Sequence, residues 1–521
     1  MTVTLSYALV TIDDAPLWLD SIGRYKLRVR KTPQDVREER EWRKRTGRDS
    51  KVIPYRMEDR SVMERDELNP SRLCFLPGLW PRVQQMLDSK HVEYEVDDQR
   101  DPSKKPPIDF QAIQDVEFRE GQAEALALIA TADCGVIETT VGWGKSFLIS
   151  VLCKAFPTLK ILVCTSSLSV VSTLHEYLRQ QIPREVGILG GGKADISGKR
   201  VVISTLRSLG KIPRDWPDLV CCDECHDVSD NDAGHEIMQF YFARKFGFSA
   251  SPVRNDGSQL AMEAIFGPTI LKMSYQDSVD AGMVVPMKYV MVPCGWCPQF
   301  LREREGLSDV VLKRYSYWAN KARNKAIASI VKDVWFNTDA QVLIMCATLE
   351  HAVYLHMLMP WMVVAYYGSV DMAKLREMFP KSKYPDLDVS KYKVTTKQLD
   401  ITRRAFAKGT LRGVISTYVF RQGVNFRHLK VLVRADGATS TVAGIQIPGR
   451  LSRLDEGKDC AYLIDVRDTF TDWAVRRSET RAKLYQEQGW KEITREELLN
   501  DLRTEPDDKP DDTAGSCSAE T

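Results

Sequence analysis

From about residue 110 onward, apolar positions gather into short, continuous runs, each followed by a longer stretch with helical spacing. CGVIETT leads through a glycine-containing turn into SFLISVLCKAF, ILVCTSS leads into SVVSTLHEYLRQQ, and RVVISTLRSL and DLVCCDE follow. Apolar strands alternating with helical stretches predict an open, mostly parallel sheet over residues 110–285. A second series begins near Asn320 with an amphipathic helix, then AQVLIMCAT, MVVAYYGS, RGVISTY, KVLVRAD and CAYLIDV. The chain is therefore expected to be α/β, with two tandem parallel-sheet domains at 111–290 and 291–490, each large enough for its own core.

The first hundred residues follow another pattern. An alternating, strand-like start precedes Thr32 to Arg48, where charges of both signs crowd around Trp42. That stretch reads as a solvated helix and connection, with nucleic-acid contact by Arg43, Lys44, Arg45 and Arg48 as the other reading. From Cys74 to Leu87, apolar residues bracket a Pro-Gly turn before a predicted helix. A small α+β domain is expected over 1–100, followed by a proline-rich linker at 101–110. Residues 371–400 read as an excursion or a reshaped helix–loop region, and the Gly-rich 190–198 as a flexible loop. The acidic 503–521 is expected to be a disordered tail.

Composition narrows the picture only slightly. The chain has 521 residues, 43% of them hydrophobic, which excludes wholesale disorder. Lys plus Arg number 73 and Asp plus Glu 71, a formal charge of +2, so any polyanion would have to be met by a local basic surface. The twelve Cys include several inside strand-like runs, and the CxxC of Cys294 and Cys297 lacks the four ligands of structural zinc. No signal peptide or membrane span is expected, and the protein reads as intracellular.

The chemistry begins at 139–146, TTVGWGKS, directly after an apolar strand. Gly142 and Gly144 allow the backbone to fold around phosphate oxygens at a helix N-terminus, with Thr140 and Trp143 in the same loop. Lys145 can reach β- and γ-phosphates, and the Ser146 hydroxyl can ligate Mg2+. The strict phosphate-loop pattern asks for Gly where Thr139 stands. In DLVCCDECH, Asp223 and Glu224 lie just beyond a second strand. Asp223 is suited to hold Mg2+ through water and Glu224 to take the proton of an attacking water, with His226 sensing the nucleotide.

With those residues in place, the chain resembles a superfamily 2 helicase or translocase of the DExH group. TTVGWGKS stands as motif I and DECH as motif II. The resemblance implies two RecA-like domains and ATP with Mg2+ as cofactors. It places Arg119 and Gln122 of FREGQ on the adenine side and makes Ser249, Ala250 and Ser251 of FSASP motif III. In QIPGRLSR it makes Gln446, Gly449, Arg450 and Arg453 motif VI. Arg450 and Arg453, expected three apart on one helix face, would stabilise charge on the γ-phosphate. STYVFRQGVNF resembles motif V, with Thr417, Gln422, Gly423 and Asn425 linking nucleotide to track.

Track contacts implied by family position are Thr165, Ser166 and Ser167, then Ser204, Thr205 and Arg207, and near motif IV Ala347, Thr348 and His351. Each also fits a plain role as a turn or cap former. DECH and FGFSASPVR resemble the DNA-directed branch, which includes restriction motors, XPB-type helicases and phage branch-migration helicases. On that resemblance the chain is expected to be a 3′–5′ DNA helicase acting on forks and four-way junctions in replication, recombination or repair. DNA would be engaged by residues 1–100, where Trp18, Trp42 and Trp80 are either core aromatics or base-stacking residues. A monomer in the host cytoplasm of a phage, working beside recombination or replication proteins, is the matching expectation. A duplex translocase without strand separation and a nucleic-acid-stimulated ATPase switch are the alternatives.

Overall fold

Seven strands open the chain: β1 (Thr2–Leu5), β2 (Val10–Asp13), β3 (Arg24–Arg30), β4 (Tyr55–Ser61), β5 (Met63–Arg65), β6 (Leu73–Phe75) and β7 (Glu95–Asp98). The computed structural model describes residues 1–45, 55–229, 231–250, 256–303, 307–366, 372–417, 426–439, 444–445 and 448–503. Its two units are Met1–Ala281 and Gly282–Thr521.

In the first unit, the order β5-β6-β2-β1-β7 makes a five-stranded sheet, and β3 pairs with β4 as a separate two-stranded ribbon. Alternate residues Val3, Leu5, Val10, Ile12, Leu73 and Phe75 bury one face of the sheet against Leu79, Val83 and Leu87 of the Pro77–Leu79 turn and Trp80–Ser89 helix. Ala264, from the helix Gln259–Phe266, joins this core. Gly78 is where the turn meets that helix, since a Cβ there would lie 2.2 Å from the Glu263 carbonyl oxygen. Trp80 is buried edge-on to Tyr94, and Trp18 packs against the core with the Lys90 ammonium over its ring, so both act as core aromatics. The side chain of Trp42 lies outside the described residues.

Residues 101–110 do not behave as a free linker. Lys104 pairs with Asp218, its carbonyl accepts from the buried Arg244 guanidinium at 3.0 Å, and the Asp109 amide donates to Ala155 at 2.9 Å. Prolines already restrict this backbone, so docking it forfeits little further entropy. The predicted charged helix of the first hundred residues is present as Pro33–Arg45.

The strands β8 (Cys134–Glu138), β9 (Ile161–Thr165), β10 (Val186–Gly190), β11 (Lys193–Asp195), β12 (Val201–Thr205), β13 (Leu219–Asp223), β14 (Arg244–Ser249) and β15 (Thr269–Lys272) form the larger sheet of this unit. Their order is β11-β10-β12-β9-β13-β14-β8-β15. Every pairing is parallel except β10 with β11. That exception corrects the reading of 190–198 as a loop. Gly190, Gly191 and Gly192 all have positive φ, and the tight turn they make folds β11 back on β10.

The second unit carries β16 (Met287–Cys294), β17 (Gln341–Met345), β18 (Val363–Ala365), β19 (Gly413–Ser416), β20 (Leu429–Arg434), β21 (Ala461–Asp468) and β22 (Lys491–Glu492). The order β18-β19-β17-β20-β21-β16-β22 is parallel throughout. Cys294 and Cys297 are buried in its apolar core, and among the described residues no group of three or more His, Cys, Asp or Glu is placed to hold a metal. Residues 372–407 form short helices, two of which close a small core of Val353, Leu375, Phe379, Val389 and Tyr392. Among the described residues no helix is long and apolar enough to cross a membrane.

Candidate active site

The carboxyl ends of three neighbouring strands, β13, β14 and β8, carry the candidate chemistry. Asp223 is level with Phe248, and Ser249 with Glu138. The next residue after Glu138, Thr139, donates its amide to the Ser249 carbonyl at 3.0 Å. These three strands deliver their loops to one edge because they point the same way. Residues from three separate sequence motifs therefore meet.

The phosphate loop is shaped by its glycines and clamped from outside. Gly142 has φ 100° and Gly144 φ 109°, a backbone that a side chain resists. Gly144 immediately precedes the helix Lys145–Ala155, whose first amides are free of intrahelical partners by geometry. The Lys145 ammonium donates to the carbonyls of Thr139 and Thr140 at 3.1 and 3.2 Å, curled back over the loop. The side chain of Trp143 is buried, and its indole N–H donates to the Glu120 carbonyl at 3.2 Å. Trp143 thus presents only backbone to a phosphate, and its ring anchors the loop.

Gln122, expected on the adenine side, is a buried clamp. Its amide oxygen accepts from the Arg119 backbone at 2.9 Å, and its nitrogen donates to the Trp143 carbonyl at 2.8 Å. Arg119 itself is exposed beside it. Thr140 shares a 2.8 Å hydrogen bond with Ser278, far away in sequence, a partner no local pattern announces.

Glu224 adopts the left-handed region with φ 57°, so the chain turns sharply straight after Asp223. Such backbone costs on the order of 1–3 kcal/mol and is held by its surroundings. Asp223 is buried, while Glu224 keeps partial access to solvent. His226, also buried, has its Nδ1 3.0 Å from the Ser249 hydroxyl and 3.4 Å from the Glu224 carboxylate. It therefore bridges the acidic pair and the strand end expected to report nucleotide state. Burial pushes the Cys225 thiol well up, helped by Glu224 and Asp223 and opposed by Lys145, so these three charges share one field. Ser146 and Asp223 offer oxygen donors of the type Mg2+ prefers, and that ion is ordinarily held by few side chains plus phosphates and water.

Thr165 and Thr205 are paired across β9 and β12, but both side chains are buried, and the Thr205 hydroxyl bonds Ser208 at 2.9 Å. Ser166 and Arg207, next to them, are exposed. In the second unit Thr348 caps the helix Leu349–Leu358, accepting from the His351 amide at 3.2 Å. His351 is buried on Asn324 at 3.0 Å, and burial holds its pKa well below the ordinary value, so it is a core residue rather than a track contact. Thr417 is tied through its amide to Ala365 at 3.1 Å.

The motif VI arginines do not share a helix. Pro448–Arg450 is a single three-residue turn of 3-10 helix, and Arg453 forms an isolated bridge with Val284. Pro448 and Gly449 disfavour an α-helix here, which is why the three-residue spacing misleads. Arg453 is nevertheless pulled down to about 10, by burial first and then by the charges of Arg450 and Arg427. Gln446, Gln422, Gly423, Asn425 and Ser251 lie outside the described residues.

Behind the second unit's strands lies a charge network that the sequence reading missed. Arg323 meets Asp468 at 2.9 Å and Arg481 meets Asp465 at 2.8 Å, all four side chains essentially without solvent access. Tyr485 donates to Asp465 at 2.7 Å and accepts from Arg434 at 3.0 Å. The arginines are scattered along the chain and look like ordinary surface residues until the fold buries them.

Residues 115–254 match the family model described as "Type III restriction enzyme, res subunit". That match falls on the segment whose motifs resemble those of superfamily 2 helicases and translocases. The chain is 26% identical over 177 residues to "DNA 3'-5' translocase XPB2" of Sulfurisphaera tokodaii, covering 33% of the chain and 39% of that protein. It thus spans about two fifths of that relative's length. It is 22% identical over 416 residues to "Probable helicase D10" of Escherichia phage T5, covering 78% and 83% of the two. Among solved structures it shares the fold of S. cerevisiae Dbp5 bound to RNA and ADP BeF3, with a TM-score of 0.52, 14% identity and coverage of 78% and 98%.

Proposed function

We propose that the chain is an ATP-dependent DNA helicase that tracks 3′–5′ and unwinds or branch-migrates forked and four-way DNA. The observation that carries the reading is the meeting of Lys145, Asp223, Glu224 and His226 at the ends of adjacent parallel strands. Lys145 supplies positive charge at the β- and γ-phosphates, and the loop amides and helix N-terminus hold them. Glu224 orients water and accepts its proton. Ser146 and Asp223 would hold Mg2+, which neutralises developing phosphate charge when bound. Arg119, Gly423 and Asn425 are assigned to the nucleotide, and Gln446, Arg450 and Arg453 to its γ-phosphate, on motif position. Ser166, Arg207, Thr417 and the capping Thr348 are assigned to the DNA track on the same ground.

The names of the relatives support a motor, since one is called a 3'-5' translocase and another, from a phage, a probable helicase. The first name also favours the second reading, duplex translocation without strand separation. A phage origin would put the protein in the host cytoplasm, beside recombination or replication proteins.

The test is ATP hydrolysis and strand release over single-stranded DNA, blunt duplex, fork, four-way junction and matched RNA. Strand release from forks and junctions is expected, and Lys145→Ala should abolish it. Hydrolysis on duplex without release would select the translocase. Stimulation by RNA alone would overturn the DNA assignment.

A further inference from the structure

The ribbon of β3 and β4 is a feature the motor reading does not use. Its seven paired positions run from Arg24 opposite Ser61 to Arg30 opposite Tyr55. Residues opposite each other share a face, and neighbours along a strand alternate. One face therefore carries Arg24, Lys26 and Arg28 in succession, with Ser61, Asp59 and Met57 across from them. All six are exposed. On the other face Tyr25, Leu27 and Val29 are half-buried, and Glu58 takes both Arg56 and Arg60, at 2.7 and 2.6 Å.

The two faces thus differ in kind. On one, Glu58 ties down both arginines, whereas on the other Asp59 stands opposite Lys26, and among the described residues no ion pair within 4 Å joins Arg24, Lys26 or Arg28 to a carboxylate. Three cations in a row at alternate positions, spaced about 6.7 Å, repel one another, and the single carboxylate Asp59 opposite Lys26 leaves the face with net positive charge. The spacing suits successive phosphates along one strand of a nucleic acid. The face offers no free stacking platform, because the Tyr55 ring is covered by the Arg28 guanidinium at 4.2 Å. Phosphate contact, independent of sequence, is what such a face can make. Seven paired residues span about 24 Å, a large part of one turn of duplex at about 34 Å.

The ribbon is also tied to the ATP-site body. The Arg28 amide donates to the Asp256 carbonyl at 2.8 Å, and Gly257, φ 84°, packs where a Cβ would come 2.2 Å from the Lys26 carbonyl oxygen. Asp256 follows closely after Ser249 and Ala250 in the chain. We infer that the Arg24–Lys26–Arg28 face of this ribbon is a docking surface for the phosphate backbone of duplex DNA, held on the segment that follows the ATP-site strand β14. This rests on the DNA reading above and names the surface that meets the duplex.

The experiment is fluorescence-anisotropy binding of the full chain to a blunt DNA duplex across a series of KCl concentrations. Arg24→Gln/Lys26→Gln/Arg28→Gln should weaken binding at low salt at least about tenfold and flatten the plot of log affinity against log salt by about 3, at roughly 0.9 per lost phosphate contact. Arg24→Lys/Arg28→Lys should bind as wild type, and so should Arg56→Gln/Arg60→Gln on the opposite face. A folded triple variant, judged by an unchanged melting temperature, that keeps wild-type affinity and slope overturns the proposal. So does an equal loss in the opposite-face variant, or a preference of the wild type for RNA duplex. Should the triple variant not fold, Arg24→Gln/Lys26→Gln decides, with a slope change of about 2 expected and none overturning the proposal. Wild type that neither hydrolyses ATP nor binds DNA defeats the function itself, whereas wild-type binding matched by the variant defeats only the ribbon.

Discussion

Glu224 and Lys245 show how differently two charged residues are held in the same unit. Glu224 sits at a positive φ with partial solvent access, so Glu224→Gln keeps the shape and removes the proposed base. Steady-state ATP hydrolysis by that variant should fall by about 10²–10⁴-fold with its melting temperature unchanged. Activity near wild type in a pure sample would remove Glu224 from the chemistry. Lys245 is buried at the start of β14, 3.2 Å from the Ala243 carbonyl, and burial pulls its amine down to about 8. Its folded pKa lies below the unfolded value, so the unfolded chain binds the extra proton between about pH 8 and 10.5, and stability contributed at this site rises with pH across that window. Below it the full cost remains, on the order of 3 kcal/mol. Lys245→Met should therefore raise the melting temperature at pH 7 and flatten its rise above pH 8, as followed by circular dichroism.

At the scale of elements, loop chemistry and capping account for most of what the strands carry. Thr348 has two readings, a DNA contact and a helix cap, and the cap is visible in the hydrogen bond from the His351 amide. Thr348→Ala should cost about 0.5–2 kcal/mol of stability by denaturant titration, while Thr348→Ser keeps both the cap and the stability. If DNA affinity falls in Thr348→Ala but not in Thr348→Ser, the hydroxyl also meets the track. The glycines of the phosphate loop were legible because positive φ demands them. The clamp by Gln122 and the anchor by Trp143 were not, because each joins segments that only folding brings together.

For the whole molecule, the two units hold themselves by different means. The first is stitched across its N-terminal sheet, its docked 101–110 segment and its larger sheet by apolar packing and by Arg244, and the second contains the buried Arg323–Asp468 and Arg481–Asp465 pairs. Removing one partner of such a pair leaves an uncompensated charge and costs about 3–5 kcal/mol. Calorimetry should resolve two transitions. Arg481→Ala should lower only one of them and Trp143→Ala, costing about 3–5 kcal/mol, only the other. A single transition shifted equally by both would show that the units unfold together.

The succession of strands and helices, the glycine-rich candidate nucleotide loop and the acidic pair at a strand end were all readable in the chain, because each is local. A buried parallel strand needs a continuous apolar run, a phosphate loop needs glycines, and paired carboxylates stand at a strand end. Tertiary structure alone decided that His226 bridges Glu224 to Ser249, that Gln122 faces inward and that Arg453 bridges Val284 instead of riding a helix with Arg450. It also decided that three alternating cations of β3 share an exposed face while Arg56 and Arg60 both pair with Glu58 on the other. Contacts between residues distant in sequence depend on how strands are ordered and paired, and that ordering leaves no mark on the local pattern of any one segment.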